Sequence, residues 1–316
     1  MHLGYVKGNL LLSDPLNKLY AVKQLIIVLV LVTGLLPGYS QTTYTWNQTA
    51  GGNWATAANW TPSRTSPATT DILVINNGGT QSITNVTTQT IGRLVVGGST
   101  NLTLTPNGGA RTLTISNTGL ALQVQSGSTL TLNGQSGGGT RSLTIRFTGT
   151  GNIVQVNGTL SLNIVSNDPG ILNTTNSAVN VSGTLIKNGG TLTSTSGTLS
   201  FAGGSEYLHQ VDGGAIATAT WNTGSLCRIT GVSTNVPAGL NQAFSHFTWD
   251  ASSQAADIFL NGQLTTVNGN MTINHTNDYA LVLANASNSS YTLQIGGKLQ
   301  LNLNAWLIIS GGDNIT

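Results

Sequence analysis

The stretch Val124-Gln125-Ser126-Gly127-Ser128-Thr129-Leu130-Thr131-Leu132 returns as Val154-Gln155-Val156-Asn157-Gly158-Thr159-Leu160-Ser161-Leu162. Each copy alternates apolar and polar residues, breaks at a turn containing glycine, and resumes as Leu-x-Leu. A period of two sends every second side chain to one side of an extended strand. Glycine gives the turn backbone angles that other residues adopt only at a cost. Further copies are Val179-Asn180-Val181-Ser182-Gly183-Thr184-Leu185 and Leu293-Gln294-Ile295-Gly296-Gly297-Lys298-Leu299-Gln300-Leu301. The anchor leucines fall at 130, 160, 185 and 299. The first two intervals, 30 and 25 residues, each suit one coil of a solenoid.

The alternation extends to Leu102-Thr103-Leu104-Thr105, Leu113-Thr114-Ile115, Leu120-Ala121-Leu122-Gln123-Val124 and Leu143-Thr144-Ile145. Turn clusters such as Asn107-Gly108-Gly109 and Ser136-Gly137-Gly138-Gly139 separate these strands. After Gln41 strong helix formers are scarce: Glu206 is the only glutamate, and Lys187 and Lys298 are the only lysines. One coil of short strands cannot bury its apolar side, whereas coils stacked above and below can. Stacking also pairs every interior strand edge. The expected fold is therefore all-β, a right-handed parallel β-helix (β-solenoid). A β-sandwich array is the alternative; it favours charged or proline-broken edges, and this chain has few of either. In the solenoid register Leu130, Leu160 and Leu185 face the interior, while Thr131 and Ser161 face outward.

Residues 1–40 read as an export signal. Lys18 and Lys23 precede the apolar run Leu25 to Leu36, and Gly38-Tyr39-Ser40 offers small residues for cleavage between Ser40 and Gln41. The run is shorter than the roughly 20 residues that span a bilayer, so no permanent membrane span is expected. Cleavage removes Lys7, Lys18, Lys23 and Asp14 and leaves eight cationic and eight acidic residues. A neutral chain lacks the clustered Lys and Arg that grip nucleic acid or anionic membranes. Only 6% of residues are charged, against about 25% in ordinary soluble proteins. Thr, Ser, Asn, Gln and Gly must therefore supply the polar surface. Cys227 is the only cysteine, which excludes an internal disulfide; flanked by Leu226 and Ile229, it reads as a small core residue.

Residues 41–75 differ in texture. Trp46, Trp54 and Trp60 fall within fifteen residues. Terminal coils of stacked arrays are atypical caps, so the three are expected to cover the open end of the core. Exposed, they would instead offer glycans a stacking platform. Residues 76–316 are expected to be solenoid repeats. They stop at Gly311-Gly312-Asp313-Asn314-Ile315-Thr316, directly after a strand-like run, and read as truncated.

The pattern of Trp46, Gly52-Asn53-Trp54, Asn59-Trp60-Thr61-Pro62, Pro67 and Asp71-Ile72-Leu73-Val74-Ile75 resembles the N-terminal start of bacterial autotransporter-like and other secreted β-helix proteins. The segment Gly203-Gly204-Ser205-Glu206-Tyr207-Leu208-His209-Gln210-Val211-Asp212-Gly213-Gly214-Ala215-Ile216, with Ala219-Thr220-Trp221-Asn222, is more specific. Together with Ser225-Leu226-Cys227-Arg228-Ile229-Thr230-Gly231 and Gln242-Ala243-Phe244-Ser245-His246-Phe247-Thr248-Trp249, it resembles a unit repeated across large surface proteins exported by the type IX secretion system. The two matches cover well under half the chain. The resemblance implies surface exposure and a structural or adhesive role, and it carries over no catalytic residue. The C-terminal sorting domain usual in such proteins has no counterpart in this sequence.

Glu206, His209 and Asp212 form the densest titratable group. On an extended strand Glu206 and Asp212 share one face and His209 takes the other, so the three do not converge without a turn. Asp250 and Asp257 are placed to meet across a coil, as a paired carboxylate for polysaccharide cleavage would require, yet no basic residue lies close to them in sequence. His246 and His275 read as isolated. No Gly-x-Ser-x-Gly elbow opens a helix, and the glycine runs do not follow the strand-to-helix pattern of phosphate cradles. Sequons such as those at Asn47 and Asn85 follow from an Asn- and Thr-rich composition. Outward Thr-x-Thr pairs (Thr103/Thr105, Thr112/Thr114, Thr129/Thr131, Thr191/Thr193) bind ice only when in register on one flat face, and their uneven spacing argues against a strict ladder. The expected function is a non-enzymatic secreted or cell-surface structural or adhesin-type protein. It needs no cofactor or metal, and its partners would be surface glycans or other surface proteins. A carbohydrate-active β-helix lyase or glycosidase is the alternative, and an ice-binding protein the minor one.

Overall fold

A computed structural model describes residues 41–175, 177–195, 198–284 and 291–310. The signal segment with Ser40, and the terminal residues 311–316, lie outside the described residues. The chain is a parallel β-solenoid. Its first sheet stacks, in chain order, Thr43–Trp46, Ile72–Ile75, Arg93–Val96, Gly119–Val124, Asn152–Val156, Ala178–Val181, Leu199–Phe201 and Thr220–Trp221. The second and longest sheet runs through eleven strands, from Gly51–Asn53 to Leu299–Leu301. A third stacks Gln89–Ile91, Arg111–Ile115, Leu143–Phe147, Asp168–Asn173 and Thr191–Thr193.

Stacking turns the alternation into columns. On the long sheet one inward column reads Leu102, Leu130, Leu160, Leu185, Tyr207, Cys227, Phe247, Met271, Leu299. All four anchor leucines stand in it. Leu130, Leu160 and Leu185 are fully buried, whereas Leu299, on the last strand of the sheet, is 43% exposed. A column of the first sheet reads Leu73, Leu94, Leu122, Val154, Val179, Leu199. Each buried aliphatic side chain contributes roughly 1.5–3 kcal/mol, and a parallel stack repeats that gain at every coil.

Coil length is not constant. Tyr207, Cys227 and Phe247 follow one another at intervals of twenty residues. Among the described residues these short coils make no third-sheet strand; a single Ala215–Ala238 bridge stands there instead. Regular strands return on that side with Ile258–Phe259, Ala280–Ala284 and Trp306–Ser310.

At the N-terminal end Trp60–Thr61 pairs antiparallel with Thr43–Trp46, so the first sheet's outermost edge is covered by a reversed strand. Trp46, Trp54 and Trp60 are 1%, 1% and 2% exposed. Their rings meet edge to face at 4.9 and 5.2 Å, and the Trp60 indole N–H donates to the Trp54 carbonyl. Rings packed this way present no stacking face to a sugar, so the three do not form the exposed glycan platform that their sequence density allowed. In the segment after Trp60 the Arg64 guanidinium and the Asp71 carboxylate form an ion pair at 2.8 Å that is almost fully buried.

Candidate functional site

The outward columns of the long sheet change character along the stack. In the earlier coils they carry uncharged residues: Asn101, Thr129, Thr159 and Thr184 in one, and Ser82, Thr103, Thr131, Ser161 and Ile186 in the next. The first then continues as Glu206, Leu226, His246, and the second as Leu208, Arg228, Thr248, Thr272. Over this second part lies a groove of about 450 Å³, within the usual size range of ligand sites. Glu206, Leu226, His246, Thr248, Asn270 and Thr272 line it, and Gly204 and Gly224 stand at the adjoining turns.

Glu206 reaches diagonally to Arg228 of the next coil; Oε1 and Nε lie 2.9 Å apart, yet neither atom makes an aligned hydrogen bond. The pair is partly exposed, so its net stabilising effect is small, but it offsets the acidic charge that Glu206 brings to the groove lining. The Asn270 backbone N–H donates to His246 Nδ1 at 2.9 Å. An accepting Nδ1 leaves the proton of the neutral ring on Nε2. Asn270 Oδ1 accepts from the Lys298 backbone N–H at 3.0 Å.

The other sequence candidates go elsewhere. Glu206, His209 and Asp212 do not converge: Glu206 faces outward, His209 is fully buried, and Asp212 sits in the following turn. Asp250 and Asp257 take separate partners. Asp250 Oδ1 lies 2.6 Å from His275 Nδ1, and Asp257 accepts the Ala280 N–H. Neither His246 nor His275 is isolated, contrary to the sequence reading, because each meets a residue one coil away. Cys227 is a fully buried core residue, and burial raises its thiol pKa. The threonine pairs divide between two sheets. Thr103 and Thr131 are in register on the long sheet, while Thr112/Thr114 and Thr191/Thr193 lie on the third, separated there by Thr144, Arg146, Ile171 and Asn173.

Sequence reasoning missed a polar cluster on the inward side of the long sheet, formed by buried His209 and half-buried Lys187. Lys187 and His209 occupy consecutive places in a column that otherwise holds Leu132, Leu162, Ile229 and Trp249. His209 Nε2 lies 2.7 Å from the Gly213 carbonyl, so it donates, and Nδ1 accepts the Tyr207 hydroxyl at 3.2 Å. The Lys187 ammonium donates to the Ala215 carbonyl at 2.8 Å. Burial lowers the His209 pKa; the Gly213 bond works against this, and the nearby Lys187 charge adds to it. Burial also disfavours the Asp212 charge, but the Asn235 and Ser233 backbone amides, the Asn235 side chain and the Thr234 amide outweigh it. They hold that carboxyl well below the usual carboxylate range.

Both shifts make acid destabilising. A histidine held neutral, and a carboxylate held charged, each stabilise the fold above their unfolded pKa values of about 6.5 and 3.9, and lose that contribution as pH falls. The urea midpoint should therefore decline below about pH 6.5 and again below about pH 4. His209→Leu should remove the upper step and Asp212→Ala should reduce the lower one. A wild-type midpoint that is flat between pH 7 and 5 would contradict the assignment for His209.

No protein-family model, no curated protein and no solved structure matches the chain.

Proposed function

We propose that the chain is a non-enzymatic, secreted or cell-surface β-solenoid of the structural or adhesin type. The observation that carries the reading is the unbroken long sheet: eleven strands in parallel register, a rigid stack about 48 Å long at the usual strand spacing. Such a rod holds an outward face fixed at a distance, which is what a surface scaffold or adhesin requires. The distribution of carboxylates also supports it. Glu206, Asp71 and Asp250 are each paired with a cation or imidazole, and Asp212 and Asp257 accept backbone N–H bonds. Each has a structural use, and no two of them share a site. The resemblance of residues 203–249 to repeats of surface proteins points the same way.

Two measurements test it. Protease shaving of intact cells of the source organism should release peptides from residues 41–316. A panel of neutral and acidic polysaccharides should show no depolymerisation by reducing-end assay. Cleavage that Glu206→Gln or Asp250→Asn abolished would replace this reading with the glycosidase or lyase alternative.

A further inference from the structure

We propose that the groove on the long sheet binds a neutral glycan chain laid along the solenoid axis, across the coils that carry Glu206, Leu226, His246 and Asn270. The inference rests on the adhesive reading and names the ligand class for it. The groove follows four successive coils, which at the spacing of parallel strands span about 14 Å. An extended polymer fits such a slot better than a compact metabolite does.

The chemistry favours a ligand that is polar and uncharged. Glu206 is the acidic side chain of the groove lining and is paired with Arg228, while the exposed cation Lys298 stands beyond the lining, next after Asn270 in the column, so the lining itself offers an anionic or cationic polymer little net charge. What remains is a mixture of donors and acceptors. Glu206 retains Oε2 as an acceptor. The proton on His246 Nε2 is a donor, because Nδ1 is already occupied by the Asn270 N–H. Asn270 has Oδ1 engaged by Lys298 and keeps its amide N–H₂ as a donor. Thr248 and Thr272 add hydroxyls that both donate and accept. Sugar hydroxyls also both donate and accept, and adjacent pairs of them suit a carboxylate or carboxamide beside a hydroxyl. Half-buried Leu226 stands between Glu206 and His246 in the column, an apolar patch for the C–H face of a sugar ring. No tryptophan, tyrosine or phenylalanine lines the groove, so a single site is weak and retention depends on contacts with several sugar units.

The test is isothermal titration of the mature chain with soluble hexasaccharides of cellulose, xylan, mannan, laminarin and chitin, and with oligogalacturonate as the anionic comparison. At least one neutral oligosaccharide should bind and oligogalacturonate should not. Thr272→Val and Glu206→Gln, each checked for an unchanged melting temperature, should weaken that binding by about tenfold or more, the loss expected for one good hydrogen bond to a charged or well-placed group. Asn180→Ala, exposed on the first sheet, should leave it unchanged. Should a groove variant fail to fold, carbethoxylation of the native chain followed by mass spectrometry decides the matter. Bound oligosaccharide should protect His246 and not His275. Binding of none of the neutral probes, preference for the anionic one, or binding without protection of His246 would each overturn the inference. Absence of glycan binding leaves the adhesive reading standing with a protein partner. Cleavage of a bound glycan would keep the groove and sink the non-enzymatic reading.

Discussion

Replacing Leu160 by alanine should lower the unfolding free energy by about 2–5 kcal/mol, the usual cost of a large cavity in a packed core. Leu160 is fully buried and lies directly between Leu130 and Leu185 in one column. Neither neighbour can close the gap without leaving its own strand register, so the upper half of that range is expected. Thr131→Ser, on the outward side one coil earlier, should change stability by no more than about 0.5 kcal/mol. Ser161 needs a different expectation from the one its outward register suggested. It is only 8% exposed, and its hydroxyl donates to Asn163 Oδ1 at 2.8 Å, so Ser161→Ala should cost more than Thr131→Ser. Urea titrations followed by circular dichroism give all three values. A silent Leu160→Ala would mean that the column does not bear the stack.

That column also shows what the sequence made legible. Leu130, Leu160 and Leu185 were visible because the segments before them repeat: a turn containing glycine, then Thr-Leu, follows an apolar-x-apolar or valine-led strand. The continuation through Tyr207, Cys227, Phe247 and Met271 was not visible. An interior column constrains apolar character and volume without fixing identity, so its members share no letter. Lys187 and His209 break even the apolar pattern. Their heads are satisfied by Ala215 and Gly213, carbonyls of the turn that takes the place of a third-sheet strand.

The groove was illegible for a related reason. Its contacts join residues one coil apart: Glu206 with Arg228, His246 with Asn270, and nearby Asp250 with His275. One coil is 30 residues between Leu130 and Leu160 but 20 between Tyr207 and Cys227. Without the register, sequence distance does not say which residues become neighbours. Strand alternation alone placed Glu206 and His209 on opposite faces, and that part holds.

The second large effect is expected at the N-terminal cap. Asp71→Ala should cost about 3–5 kcal/mol, the range for stranding one partner of a buried ion pair. The Arg64 and Asp71 side chains are 3% and 2% exposed. Asp71 Oδ2 accepts both from Arg64 Nε and from the Ala68 backbone N–H, while an Arg64 terminal nitrogen donates to Gln89. Removing the carboxylate would leave a guanidinium in the protein interior with Gln89 as its remaining hydrogen-bond acceptor. The pair ties the loop after the tryptophan cluster to Gln89, on the first strand of the third sheet, so the loss should spread beyond the loop. The double variant Arg64→Met/Asp71→Leu separates charge from packing. Replacing both partners by apolar groups of similar size is often nearly neutral or stabilising, so it should recover most of the stability lost in Asp71→Ala. Urea midpoints of the two variants, followed by tryptophan fluorescence, to which Trp46, Trp54 and Trp60 contribute as three of the six tryptophans, make the comparison. Equal losses in both would show that the cap depends on the hydrogen bonds to Ala68 and Gln89 rather than on keeping a buried charge paired.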